Sequence, residues 1–509
     1  MEWVPSPRPI KYSTPSPPTT PARQFSPHIT PITPSPFDPA ELHLAMQELT
    51  PLPKSAIASS APIARLPYEL LVEIFIHCLP KHPFIIPSRV QAPLVLTQIC
   101  REWRTIALST PTLWSSLHIN YHDRSKDIPS TILWLSRSGD RPLSISLSID
   151  FNEQRHQGIL DVLSAHSHRW QHVRFDFRHL LCPRKYHLTR AAHRTPQLRT
   201  FEFHAQDISN TNITPITKLL NAAPGLREVS WVDDLADTDT MLELPLSRLT
   251  RLSLAMDRGT LDYLELLDQC SNLEHIRITR PCVDALPPRP PLLLSKLTSL
   301  NISHDLTGIL DHLVLPALKH VRIHAEHERQ HRSYYGATPA TAEAWSPAPF
   351  LSLVERSACA VESLCVNAPM GEQDLVECVR STADSLTRLS VMGVEVSDVF
   401  VGLLTYPEQD SLSFGLCTSL EELTLDTRIT CASGVLTRMV ESRLSIPSGE
   451  FREDTRKQLQ KLRVLDGHKD MRRLRELGAE KMLNVDVIPR KEVKMRPKML
   501  YRRKVCPSR

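Results

Sequence analysis

The chain has 509 residues, too many for a single compact core, so it holds two or three folded regions or one elongated region. A hydrophobic share of 41 % with 43 prolines against 14 glycines indicates an unfolded portion and argues against glycine-rich phosphate loops. A net charge of +4 is too mild to imply nucleic acid, and 11 scattered cysteines without CxxC spacing exclude a zinc ribbon and a thioredoxin motif.

Residues 1–60 carry repeated Ser-Pro and Thr-Pro steps, at Ser6, Thr14, Ser16, Thr20, Ser26, Thr30, Thr33, Ser35 and Thr50. Proline removes backbone donors and little apolar surface offsets the ordering entropy, so a disordered arm is expected. The steps resemble sites of proline-directed kinases. The N-terminus lacks the apolar core of a signal peptide, and no apolar run is long enough to span a bilayer. Dispersed cysteines fit reduced thiols. The expected compartment is cytoplasm and/or nucleus.

Two helical stretches follow. Leu70, Leu71, Ile74, Phe75, Cys78 and Leu79 form one wide stripe on a helix that starts at Pro67 and ends by Pro80. After a connector with Pro83, Pro87 and Pro93, the spacing predicts a second helix over Leu94–Leu108, stopped by Pro111. From Arg141 the texture changes. Leu143, Ile145, Leu147 and Ile149 alternate with polar residues, the signature of a half-buried strand.

A motif of the form apolar-x-x-apolar-x-apolar then recurs eleven times. The copies are Trp170-Val173-Phe175, Leu198-Phe201-Phe203, Leu226-Val229-Trp231, Leu249-Leu252-Leu254, Leu273-Ile276-Ile278 and Leu297-Leu300-Ile302, then Leu318-Val321-Ile323, Val361-Leu364-Val366, Leu386-Leu389-Val391, Leu420-Leu423-Leu425 and Leu459-Leu462-Val464. Most first positions are about 21–28 residues apart, inside the window for leucine-rich repeats; the steps after Leu318, Leu386 and Leu420 are longer. The stretches "ITKLLNAAPG", "LDYLELLDQC", "DLVECVRST" and "SGVLTRMVES" between copies have helical patterns. Repeated strand and helix stack into a solenoid, because one unit cannot bury its own apolar face but neighbours can. The Asn or Cys that such repeats place after the strand is missing; Asp234, Pro281 and Val394 stand there instead.

The helix pair resembles the F-box, through Leu66-Pro67, Glu69, Leu70-Leu71, Ile74-Phe75, Ile99-Cys100-Arg101, Trp103-Arg104 and Leu113-Trp114. The phrases "LTQICREWRTIALSTPTLWSSL" and "SGDRPLSISL" are similar to F-box proteins of mushroom-forming fungi. The connector between Phe75 and Trp103 is longer than the common pattern. The repeats and composition predict an α/β chain with a disordered arm over 1–60, a leucine-rich-repeat-like horseshoe over 141–480 and a basic tail over 481–509, and the resemblance implies a helical F-box over 63–118. It also implies docking on a Skp-type adaptor, and through it on a cullin, with contacts from Leu66, Pro67, Leu70, Leu71, Ile74, Ile99 and Trp103. The implied role is the substrate-recognition subunit of a ubiquitin ligase, with no catalysis and no cofactor of its own. The alternative is a repeat scaffold without ubiquitin ligation.

A protein substrate is expected on the strand face, where the residue between the last two apolars of each motif projects: Glu202, Ser230, Ser253, Arg277, Asn301 and Arg322. Arg277 and Arg322 suit an acidic or phosphorylated peptide. "HERQH", His327 to His331, matches the HExxH zinc motif, which makes a metalloprotease the third option. It follows a strand motif in a polar stretch, Tyr334 occupies the metzincin glycine position and only Glu355 offers a downstream carboxylate, so a solvated loop is the expected reading. His166, His168 and His172 flank Trp170 and read as strand-flanking residues, not a metal site. The basic tail, from Arg490 to Lys504, has Tyr501 as its one aromatic, so single-stranded nucleic acid is not expected there.

Overall fold

A computed structural model of the chain describes residues 63, 66–149, 157–177, 188, 191, 194–205, 210–233, 244–282, 289–324, 345–406, 415–444 and 457–489. The expected arm over 1–60, the HERQH stretch and the tail beyond residue 489 lie outside them. The chain divides into two units, Met1–Leu66 and Pro67–Arg509, and the described helices and strands named below belong to the second.

The first apolar stripe forms a helix over Tyr68–His77 that buries Leu71 and Phe75, one turn apart. Pro67 caps it, where its missing N–H costs nothing. The second stretch is not one helix from Leu94 to Leu108. It divides into a 3-10 turn over Val95–Gln98 and an α-helix over Arg101–Leu108. The break is Cys100, whose extended backbone makes it the helix N-cap, with Sγ accepting the Trp103 N–H at 3.4 Å. Arg104 Nε donates to the Thr97 carbonyl at 2.7 Å and ties the two pieces together. Phe75 meets Trp103 with ring centroids 4.8 Å apart, which joins the two helices.

Fourteen strands form one parallel sheet in sequence order. They are β1 (Ser116–Tyr121), β2 (Leu143–Ile149), β3 (Trp170–Phe177), β4 (Thr200–Ala205), β5 (Glu228–Asp233), β6 (Arg251–Gly259) and β7 (His275–Cys282). They continue as β9 (Ser299–Ser303), β11 (His320–His324), β12 (Ser363–Asn367), β13 (Arg388–Met392), β14 (Glu422–Asp426), β15 (Lys461–Leu465) and β16 (Asn484–Ile488). Two short strands, β8 (Leu292–Leu293) and β10 (Leu313–Val314), pair with each other. Each of the eleven motifs supplies one strand of the large sheet. The sheet also extends past the expected limits of 141 and 480, because β1 and β16 carry the same alternation in shorter form.

Register aligns the middle apolar residue of every motif, with shifts elsewhere between Leu143 and Ser144 and between Ala255 and Arg258. Val173, Phe201, Val229, Leu252, Ile276, Leu300, Val321, Leu364, Leu389, Leu423 and Leu462 stand side by side. A second device holds it at the start of the strands. The Arg199 carbonyl accepts both the Arg227 and Glu228 N–H groups, and Arg227 does the same for Thr250 and Arg251. The pattern repeats through Thr250, Glu274, Thr298, Lys319, Glu362, Thr387 and Glu421. Threonine hydroxyls add to it, with Thr298 donating to Glu274 O at 3.0 Å and Thr387 to Glu362 O at 2.9 Å. These bonds satisfy turn backbone groups through main-chain and threonine donors.

The apolar residues of each motif point under the sheet, where helices such as Asn210–Asn221, Thr260–Asp268, Glu372–Ser381 and Val435–Leu444 cover them. These four helices fall on the four stretches with helical patterns. At β3 to β5 the core is aromatic: Phe177 lies edge-on to Phe203 with centroids 5.9 Å apart, and Phe203 meets Trp231 at 4.8 Å. From β6 onward the same positions hold leucine, isoleucine and valine.

Arginines join successive units from behind. Arg248 Nη2 donates to the Asn221 carbonyl at 2.7 Å, and Arg356 Nη2 to that of Leu310 at 2.6 Å. Arg443 is fully buried; it donates to the carbonyls of Leu404, Leu416 and Cys417, and its guanidinium lies 4.4 Å from the Tyr406 ring centre. Each serves carbonyls that a preceding helix or turn leaves unpaired.

Candidate functional site

Two surfaces carry candidate function. The first is the helix pair. Of the residues expected to meet an adaptor, Leu70 is 50 % exposed, Ile74 37 % and Ile99 57 %, and Pro67 is also exposed. Leu66 is half-buried. Leu71 is 2 % exposed and belongs to the chain's own core, and Trp103 is half-buried against Phe75. Leu71 is therefore removed from the contact set, because a side chain already buried has no surface to give. Tyr68 on the same helix is 49 % exposed. Leu70 and Ile74 lie one turn apart on the same helix face, so they form a single uncovered strip.

The long connector has a structural use of its own. Ile85 N–H donates to Ser116 Oγ at 3.1 Å, and that hydroxyl donates to the Pro83 carbonyl at 2.8 Å. The His118 N–H donates to Ile85 O at 2.7 Å. Phe84 and Ile85 are buried. The connector residues thus cover the outer edge of β1, which would otherwise offer unpaired backbone groups.

The second surface is the open face of the sheet. Register sets its residues in two rows. One row runs Ser253, Arg277, Asn301, Arg322, Cys365 and Ser390 from β6 to β13; the other runs Arg251, His275, Ser299, His320, Ser363 and Arg388. The expected Ser253, Arg277, Asn301 and Arg322 are brought together in one row on adjacent strands. Arg251, His275, Ser299 and Arg388 were not anticipated. Their signal is in the sequence all the same, since each stands immediately before the second apolar of its motif.

Neither row holds an acidic residue from β6 to β13. Carboxylates stand beside the rows: Glu228 is in register with Arg251, Lys319 meets Glu362 at 2.8 Å just before β12, Arg174 meets Glu202 at 3.5 Å, Lys461 meets Glu422 at 4.0 Å and Arg463 meets Asp486 at 2.9 Å. In the centre Arg251, Arg277, Arg322 and Arg388 are exposed, and none forms an ion pair with a described residue. A shallow depression of about 220 Å³ opens there, lined by Glu228, Arg251, Ser253, His275, Arg277, Ser299 and Asn301 among others. Arg251 Nη2 donates to His275 Nε2 at 3.2 Å, so that ring is neutral in this pair. Asn301 Oδ1 is shielded from solvent and has no hydrogen-bond partner.

The histidines beside these arginines are held below their ordinary value, chiefly by burial and secondly by the arginine charges. Burial, and then the charges of Arg277 and Arg322, push His324 down to about 4. Burial and then Arg251 lower His275, and burial and then Arg388 lower His320. Burial holds the Cys270, Cys378 and Cys417 thiols up at about 12, which leaves them unreactive.

The remaining histidines are placed plainly. His166 and His168 have ring centroids 6.5 Å apart, and His172 Nδ1 lies 3.0 Å from Thr200 Oγ1. Among the described residues no group of three or more His, Cys, Asp or Glu is arranged to hold a metal ion, and no helix is long and apolar enough to cross a membrane. No protein-family model matches the chain, and no curated protein is similar to it.

Proposed function

We propose that the chain is a substrate-recognition subunit of a Skp-cullin-F-box ubiquitin ligase. The helix pair docks on a Skp-type adaptor and the strand face holds a protein substrate. The chain acts as a scaffold and performs no chemistry. Holding the substrate beside a ubiquitin-charged partner raises its effective concentration, which is the whole of the contribution.

One observation carries this reading. Leu70, Ile74 and Ile99 occupy motif positions of an F-box and stay uncovered, while their neighbours Leu71, Phe75, Leu96 and Ile106 fill the chain's own core. A strip of large apolar side chains left open beside a packed hairpin fits a partner's groove. The horseshoe reading of the repeats rests on the sequential, all-parallel strand order.

The test is co-purification with a Skp-type adaptor. The wild-type chain retains it, and Leu70→Asp reduces retention more than about tenfold, since a carboxylate would be buried in an apolar contact. A wild-type chain that never retains the adaptor ends the ligase reading and leaves a repeat scaffold that binds partners without ubiquitin transfer.

A further inference from the structure

We infer that the centre of the strand face, from β6 to β13, binds an extended acidic segment of a partner protein lying across the strands, with its acidic side chains about three residues apart. This deepens the proposed function by naming the partner chemistry, and it rests on the strand face as the partner side and not on adaptor docking.

The argument begins with spacing. Neighbouring strands lie about 4.8 Å apart. Arg277 on β7 and Arg322 on β11 are separated by β9 alone, two steps or about 10 Å. Arg322 and Arg388 on β13 are separated by β12, again about 10 Å across the sheet. Arg388 sits two residues lower on its strand, an offset of about 7 Å that an arginine side chain spans. A segment in the polyproline II form makes one turn in three residues, rises about 9 Å and returns every third side chain to the same side. Acidic residues at the first, fourth and seventh positions of such a segment therefore meet Arg277, Arg322 and Arg388 in turn, and Arg251 sits one strand from Arg277 to share the first.

The lining chooses the kind of ligand. Both rows between β6 and β13 consist of arginine, histidine, serine, asparagine and one cysteine, so they offer donors and positive charge; Glu274 and Glu362 stand one residue before the second row, and Lys319 holds Glu362 at 2.8 Å. Glu228 lies at the rim of the depression, on β5, and marks where the acidic segment ends. No phenylalanine, tyrosine or tryptophan stands in either row of this stretch, so bases have no large stacking platform and a nucleic acid is disfavoured.

The experiment uses the full chain without adaptor and a fluorescein-labelled seven-residue peptide with glutamates at positions one, four and seven and serine and glycine between. Its isomer places the three glutamates together, and a third probe carries phosphoserine at the same three positions. The spaced glutamate probe is expected to bind at least about threefold more tightly than the contiguous one. Arg277→Gln with Arg322→Gln weakens it about tenfold, roughly threefold for each exposed charge pair. Thermal melting of the variant is expected to match wild type, because both side chains lie on the surface. A phosphoserine probe that binds more tightly than the glutamate probe identifies phosphorylation as the source of the negative charge and keeps the inference. Equal binding of the spaced and contiguous peptides overturns it, as does an unaffected double variant or tighter binding of a thymidine decamer. Adaptor co-purification is scored separately, so loss of either reading leaves the other measurable.

Discussion

The Tyr68–His77 helix and the centre of the strand face expose opposite chemistry on equally regular frames. On the helix, apolar side chains fill the core on one side and leave Leu70 and Ile74 open on the other. On the sheet, the apolar residues go under almost completely, and the open side is polar with four unmatched arginines. The helix stripe is wider than its own core can cover, whereas the strand alternation divides the two faces cleanly. The first surface suits burial against a partner's groove, the second suits charge recognition in water.

The sharpest way to break this contrast is a pair of adjacent substitutions. Leu71→Asp buries a carboxylate without a partner and should cost several kcal/mol, read as a large fall in melting temperature. Leu70→Asp should change stability by less than about 0.5 kcal/mol, because the side chain is half in solvent. Equal effects would mean that the stripe has one role and not two.

A smaller effect is expected from Arg443→Leu, measured by the same melts. It leaves the Leu404, Leu416 and Cys417 carbonyls without their donor in a buried site, at a cost of about 1–3 kcal/mol. Salt separates the two surfaces further. Raising ionic strength from about 0.05 to 0.5 M shortens the screening length several-fold and should weaken acidic-peptide binding to the strand face about tenfold, while adaptor retention changes little.

The smallest expected effect concerns pH. The His324 value near 4 lies below the ordinary 6.5, so between these values the unfolded chain binds more protons than the folded one. Stability from this group is complete above pH 6.5 and is lost as pH falls toward 4. His324→Gln should flatten that part of the profile. Arg277→Gln should raise the His324 value, read by the shift of its ring proton resonance, because one of the two charges that depress it is gone.

Much of this architecture was legible in the sequence. Alternation survives in each of the eleven motifs because a strand buried on one face repeats every two residues, whatever the intervening length. The break at Cys100 was not legible, since apolar spacing across Leu94–Leu108 fits a helix and only a local sulfur–backbone bond interrupts it. β1 was hidden inside "TLWSSL" and its continuation, where the strand lies directly after a proline-started turn. The cationic centre was half visible. Arg277 and Arg322 stand at the motif's middle position, but Arg251 and Arg388 become their neighbours only through register, which brings together residues far apart in the chain. Exposure could not be read either: Leu70 and Leu71 are identical letters side by side, and the fold buries one.

The paired N–H bonds to a single carbonyl, repeated from Arg199 to Glu421, tie each strand to the one before it and to nothing further away. Such a chain of local ties behaves like a row of letters on a common rail. A letter on the open face can be exchanged without disturbing its neighbours' spelling, and removing the last unit shortens the message without erasing it. Descendants of this sequence can therefore acquire new readings one substitution at a time, with the 4.8 Å rail pitch of about one strand kept constant throughout.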